Sequence, residues 1–72
     1  MQPTIDRIAI YLLNEGLQAN TRYTVLEGPA GLTHTTGNQE PQGEAFRELV
    51  SFTTDDDPPQ SLFDMRFVLT YE

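Results

Sequence analysis

The chain contains no cysteine, and in a protein of 72 residues this absence limits how a fold can be stabilised. Small domains bury a modest fraction of their surface, and most gain extra stability from disulfides, bound metals or association with other chains. The lack of cysteine excludes disulfides and thiolate metal sites. We therefore expect residues 1–72 to form one small domain that associates with itself or with a larger partner.

The charge of the chain narrows the choice of partners. Eleven acidic residues and four arginines give a formal net charge of −7. A field of this sign repels phosphate backbones and anionic lipids, so direct binding to nucleic acid or to a membrane surface is not expected. No signal peptide or membrane span is visible, and a chain native from Met1 would lie in the host cytoplasm or in a virion.

The middle of the chain is predicted to form strands. Residues 21–27 are rich in strand formers, with Tyr23 and Val25 on one face. Residues 31–43 have the composition of a loop, with a short edge strand near residues 32–36. Residues 45–54 have the alternating pattern of a strand, which is stronger in their second half. The side chains predicted to share one face of this strand are Phe46, Glu48, Val50 and Phe52.

The sequence predicts the secondary structure of the last apolar segment more clearly than that of the first. Residues 5–13 fit a helix with Thr4 as its N-cap, but they also alternate and contain strand formers, and both interpretations stay open. Residues 62–71 carry five large apolar side chains at every second position, which predicts a half-buried strand. These side chains are Phe63, Met65, Phe67, Leu69 and Tyr71.

The stretch Leu17-Gln18-Ala19-Asn20-Thr21-Arg22-Tyr23-Thr24-Val25 resembles the corner of a fibronectin-III or bacterial Ig-like sandwich. In those families a Leu, a turn, a Thr and a Tyr lead into a strand, so the resemblance implies a structural corner built on Leu17, Thr21 and Tyr23. It also implies that the Tyr23 hydroxyl bonds to the upstream backbone. Residues 31–38 are similar to the polar loop of these domains and residues 51–54 to their last strand.

The resemblance covers roughly residues 17–54 and has clear departures. Ala19 stands where proline is usual, and the first strands of the family have no counterpart before Ile8. The resemblance favours a strand at residues 8–13. The expected fold is mainly β, a small antiparallel sheet or partial Ig-like sandwich of four to five strands, with an N-terminal helix in an α+β alternative.

The chemistry-bearing residues give little support to an enzyme, and we expect no catalytic residue, cofactor or metal. His34 is the one histidine and is interpreted as a polar loop residue. Residues 55–57 are three consecutive aspartates, a spacing that does not suit a calcium loop. They are instead candidates for contact with a partner, and the full candidate set is Asp55, Asp56, Asp57, Phe63, Phe67 and Tyr71.

Two functional hypotheses follow. The first is a non-enzymatic structural or protein-binding β module that assembles with itself or with a larger complex, such as a virion or a bacterial surface component. The alternative is a small acidic phage-type inhibitor that binds a basic surface of host nucleic-acid machinery, in one version as a DNA mimic. The scattered acids fit the alternative less well, because a mimic arranges carboxylates in rows.

Overall fold

The computed structural model describes residues 4–39 and 45–71, with the backbone alone of Tyr71. Within them the chain forms two helices and three strands, and the strands make one antiparallel sheet of order β2-β1-β3. The fold is therefore the α+β alternative, and the described residues hold three strands rather than the expected four to five. The elements are α1 (Ile5–Glu15), β1 (Arg22–Gly28), β2 (Gly31–Thr36), β3 (Arg47–Thr53) and α2 (Leu62–Tyr71).

The ambiguous N-terminal segment is the helix α1. Thr4 is its N-cap, and the Thr4 hydroxyl accepts a hydrogen bond from the Arg7 N–H at 3.2 Å. Gly16 ends the helix in the left-handed region, with φ of 81°, and its N–H donates to the Leu12 carbonyl. Ile8, Ala9 and Leu12 are buried along one side. The strand that the Ig-like resemblance favours here is therefore wrong.

The predicted strands in the middle of the chain are confirmed, with one correction. Tyr23 and Val25 are buried on one face of β1, and β2 lies at an edge of the sheet as expected. In β3 the register shifts, so that Val50 pairs with Val25 while Glu48 pairs with the next residue of β1. The extra residue in this bulge is Leu49, which packs against the core beside Val50 and leaves Glu48 exposed.

The strand predicted at residues 62–71 is wrong, because this segment is the helix α2. When apolar residues occupy every second position, every other one of them is four positions from the next. Residues four apart lie on the same side of a helix, so this pattern also contains two helical ridges. Met65 and Leu69 form the buried ridge, and Phe63 and Phe67 form the exposed one. The Ser61 hydroxyl accepts from the Asp64 N–H at 3.1 Å, an N-cap contact that starts the helix.

The core lies between the two helices and one face of the sheet. It combines side chains from α1, β1, β3 and α2, and the fully buried large ones include Leu12, Val25 and Met65. An exposed ion pair also joins the helices: Arg66 donates from Nε to Asp6 Oδ1 at 2.7 Å and from Nη2 to Oδ2 at 2.9 Å. The helices therefore cover one face of the sheet and turn the outer side of α2 toward solvent.

Candidate protein-binding surface

The outer side of α2 carries the largest exposed apolar side chains of the described residues. Phe63 is 74% exposed and Phe67 is 58% exposed. They lie one helical turn apart, so they form a single ridge. Single exposed apolar residues are common on proteins, but two adjacent aromatic rings at a surface are typical of a contact site.

A groove runs beside this ridge, between α2 and the segment that leads into it. Pro58 and Pro59 form one wall, and Phe63, Phe67 and Val68 form the other. The groove has a volume of about 590 Å³, within the range of small ligand and side-chain pockets. Asp57 and Asp64 stand at its rim. We call this feature the α2 groove.

The two prolines also face a second depression. On their other side, a hollow of about 510 Å³ is lined by Leu13 and Leu17 together with Gly16. Both prolines are half-buried. The diproline segment is therefore a wall between two hollows.

The three aspartates before the prolines form an ordered turn. The Asp55 carbonyl accepts from the Asn20 N–H at 3.0 Å, and the Asp55 carboxylate accepts from the Asp57 N–H at 2.9 Å. Asp56 accepts from the Asn20 side-chain amide at 2.8 Å. The Asp55 carboxylate thus bonds the backbone and the Asp56 carboxylate bonds the Asn20 side chain, and Asp57 is the aspartate of this run that lines the groove.

The turn rests on the corner that precedes β1. The Tyr23 hydroxyl accepts from the Gln18 N–H at 2.7 Å, a bond of the form that the Ig-like resemblance implies. Thr54 is buried, donates to the Gln18 carbonyl at 2.6 Å and accepts from the Thr21 N–H at 2.9 Å. Leu17 packs against the core. The hydrogen bonds of the corner therefore fix the position at which the segment that leads to Pro58 and Pro59 begins.

His34 lies on β2 rather than in a loop, which corrects the prediction made for it. Its Nδ1 is 2.7 Å from the Tyr11 hydroxyl, and its ring is 5.7 Å from that of Tyr23. Burial raises the pKa of the Tyr11 phenol, and the negative charge of Glu15 acts in the same direction. His34 therefore joins α1 to the edge of the sheet.

The opposite face of the sheet has a separate hollow of about 440 Å³, lined by Leu26, Phe46 and polar side chains. Leu26 is 2% exposed, although it points away from the helices, and its burial was not predicted. The Phe46 ring lies so close to Gly28 that a Cβ there would be 2.5 Å from the ring. Glycine is needed at this position for the ring to cover the strand.

The side chain of Tyr71 lies outside the described residues. Within residues 4–39 and 45–71, no three His, Asp or Glu side chains are grouped so that they could hold a metal ion. In the same residues neither helix has the length and apolar content needed to cross a bilayer.

Comparisons with protein-family models, with curated protein sequences and with solved structures yield no significant match to this chain. Kinship with Ig-like domains thus stays a prediction.

Proposed function

We propose that this chain is a non-enzymatic protein-binding module that attaches to a partner protein through the α2 groove. The observation that carries the proposal is the exposure of Phe63 and Phe67 on one ridge of α2. Aromatic side chains provide much of the binding energy at protein interfaces when a partner removes them from water. In the isolated chain more than half of the surface of each of these residues is exposed to water, at a cost that a partner would relieve.

The rigidity of the surroundings supports this proposal. Met65 and Leu69 anchor α2 in the core, and the Asp6–Arg66 pair joins it to α1. The opposite wall follows a turn fixed by hydrogen bonds to Asn20. A surface that is ordered before binding loses little conformational entropy when the partner arrives.

The alternative function, an acidic inhibitor that mimics DNA, is less well supported by the arrangement of the acidic residues. Asp6 and Glu27 are paired with Arg66 and Arg47. Asp55 and Asp56 accept hydrogen bonds within the corner. These four carboxylates are occupied inside the fold and do not form a free row.

Site-specific photo-crosslinking in cells of the organism that encodes the chain tests the proposed function. A photoreactive phenylalanine at position 63 should give one discrete adduct, identified by mass spectrometry and suppressed by an excess of the unmodified chain. Position 10 is the matched control, because Ile10 is also exposed, at 50%, but lies outside the groove. Absence of an adduct at position 63, or the same adducts from both positions, would contradict the proposal.

A further inference from the structure

We infer that the partner of the α2 groove presents lysine or arginine side chains around an apolar anchor, and that it is not a second copy of this chain. This inference rests on the proposed function and specifies the chemistry of the partner. Two observations support it: the charge at the rim of the groove, and the state of the chain's own arginines.

The rim of the groove is acidic. Asp57 and Asp64 line it, and neither takes part in the two salt bridges found within residues 4–39 and 45–71. The whole chain carries −7, so the surrounding field has the same sign. A carboxylate beside an apolar contact is favourable only if the partner supplies a positive charge when water is removed.

A second copy cannot supply that charge readily. Of the four arginines, Arg47 and Arg66 are already bound to carboxylates, and Arg7 lies on α1, outside the α2 groove. The Arg22 Nε donates to the Ser51 hydroxyl on the far face of the sheet, at 3.3 Å. Two copies meeting at their α2 grooves would bring the acidic rims together, and like charges in contact oppose association.

The apolar area of the ridge indicates how much of a contact it can provide. Phe63 and Phe67 together expose roughly 250 Å², taking about 200 Å² for a whole phenylalanine side chain. A stable dimer buries about 800 Å² or more on each partner. The ridge is therefore the size of a central anchor site in a mixed contact, with polar and charged groups around it.

Binding of labelled probe peptides, followed by fluorescence anisotropy, tests the inference. The first probe is a short amphipathic helix of leucine and lysine, and the second has every lysine replaced by glutamate. We expect the basic probe to bind, with an affinity that falls as salt is raised, and the acidic probe to bind at least about tenfold more weakly.

Variants of the chain assign the binding to the groove. Phe63→Ser should weaken the basic probe about tenfold, whereas Ile10→Ser should not. Asp57→Asn with Asp64→Asn should also weaken it several-fold. The matched control, Glu15→Gln with Glu48→Gln, removes the same charge from exposed positions outside the groove and should have a smaller effect.

The outcomes separate the two proposals. Equal binding of both probes, or equal effects of the two charge variants, would overturn the inference that the partner is basic. Weaker binding by Phe63→Ser would still support the α2 groove as the binding site. A dimer that is seen in analytical ultracentrifugation and is dissociated by Phe63→Ser would also overturn the inference, because a second copy would then occupy the groove. If Phe63→Ser binds the basic probe as tightly as the unaltered chain, the α2 groove is not the binding face and the proposed function fails.

Discussion

At the scale of single residues, the most consequential side chain is one that the sequence does not single out. Thr54 is 6% exposed and closes the corner by bonding to the backbone of both Gln18 and Thr21. The role of Tyr23 could be predicted from the Ig-like resemblance, because its hydroxyl bond is local in sequence. The role of Thr54 could not, because its partners are 33 and 36 residues away.

Thr54→Val should lower the free energy of unfolding by about 2 kcal/mol, because it leaves a part-buried N–H and a carbonyl without their hydroxyl partner. Urea denaturation measures the change. Thr53→Val is the matched control, since Thr53 is exposed on the neighbouring position, and it should change stability by less than about 0.5 kcal/mol. Equal effects of the two substitutions would show that the corner does not depend on Thr54.

At the scale of elements, the instructive case is α2. Its five alternating apolar residues were interpreted as a strand, yet the same spacing provides a buried and an exposed helical ridge. The signal that could have identified the helix is Ser61-x-x-Asp64, which begins one residue after the two prolines and is a pattern typical of a capped helix start. The exposed position of Phe63 and Phe67 follows from the helix and could not be derived from a strand.

Ser61→Ala should destabilise the chain by about 1 kcal/mol, because the Asp64 N–H loses its acceptor at the start of α2. Ser61→Asp retains an acceptor at the N-cap and should keep most of the stability. Thermal unfolding followed by circular dichroism compares the two variants. A loss of stability in both, or in neither, would contradict the capping role of Ser61.

The contact between the two helices should depend on pH. The hydrogen bonds from Arg66 hold the pKa of the Asp6 carboxyl below its ordinary value of 3.8. A lowered pKa in the folded state means that the ionised carboxylate stabilises the fold above about pH 4, and that this contribution is lost as the pH falls through the folded-state pKa.

We therefore expect Asp6→Asn to lower the melting temperature slightly at neutral pH and to have no effect once Asp6 is protonated. Melting curves of both chains from neutral to strongly acidic pH give this comparison. The effect is small because the pair is exposed and screened by water. A difference that stays constant through the acidic range would exclude the ion pair as its cause.

At the scale of the whole molecule, the chain is compact. The radius of gyration is 11.6 Å, close to the ~11 Å expected for a compact chain of this length. The core closes within the chain because two helices cover the sheet, whereas a β-only arrangement would have left an apolar face open. The partner expected from the length and the absence of cysteine is now proposed to bind the α2 groove instead of an incomplete sheet.

The order of the strands illustrates why the architecture was only partly predictable. The hairpin of β1 and β2 is local, so its turn residues indicate it directly. The placement of β3 on the other side of β1 requires pairings across some thirty residues, such as Arg22 with Thr53. Side-chain packing against both helices selects that arrangement, and no short pattern in the sequence encodes it.

The central claim is that α2 is a helix that buries Met65 and Leu69 and exposes Phe63 and Phe67. Because the chain has no cysteine, single substitutions to cysteine at positions 63, 65, 67 and 69 each introduce one thiol whose reaction with a labelling reagent can be timed under native conditions. We predict that positions 63 and 67 react at least about tenfold faster than positions 65 and 69. Equal rates at all four positions, as expected if they shared one face of a strand, would contradict the account.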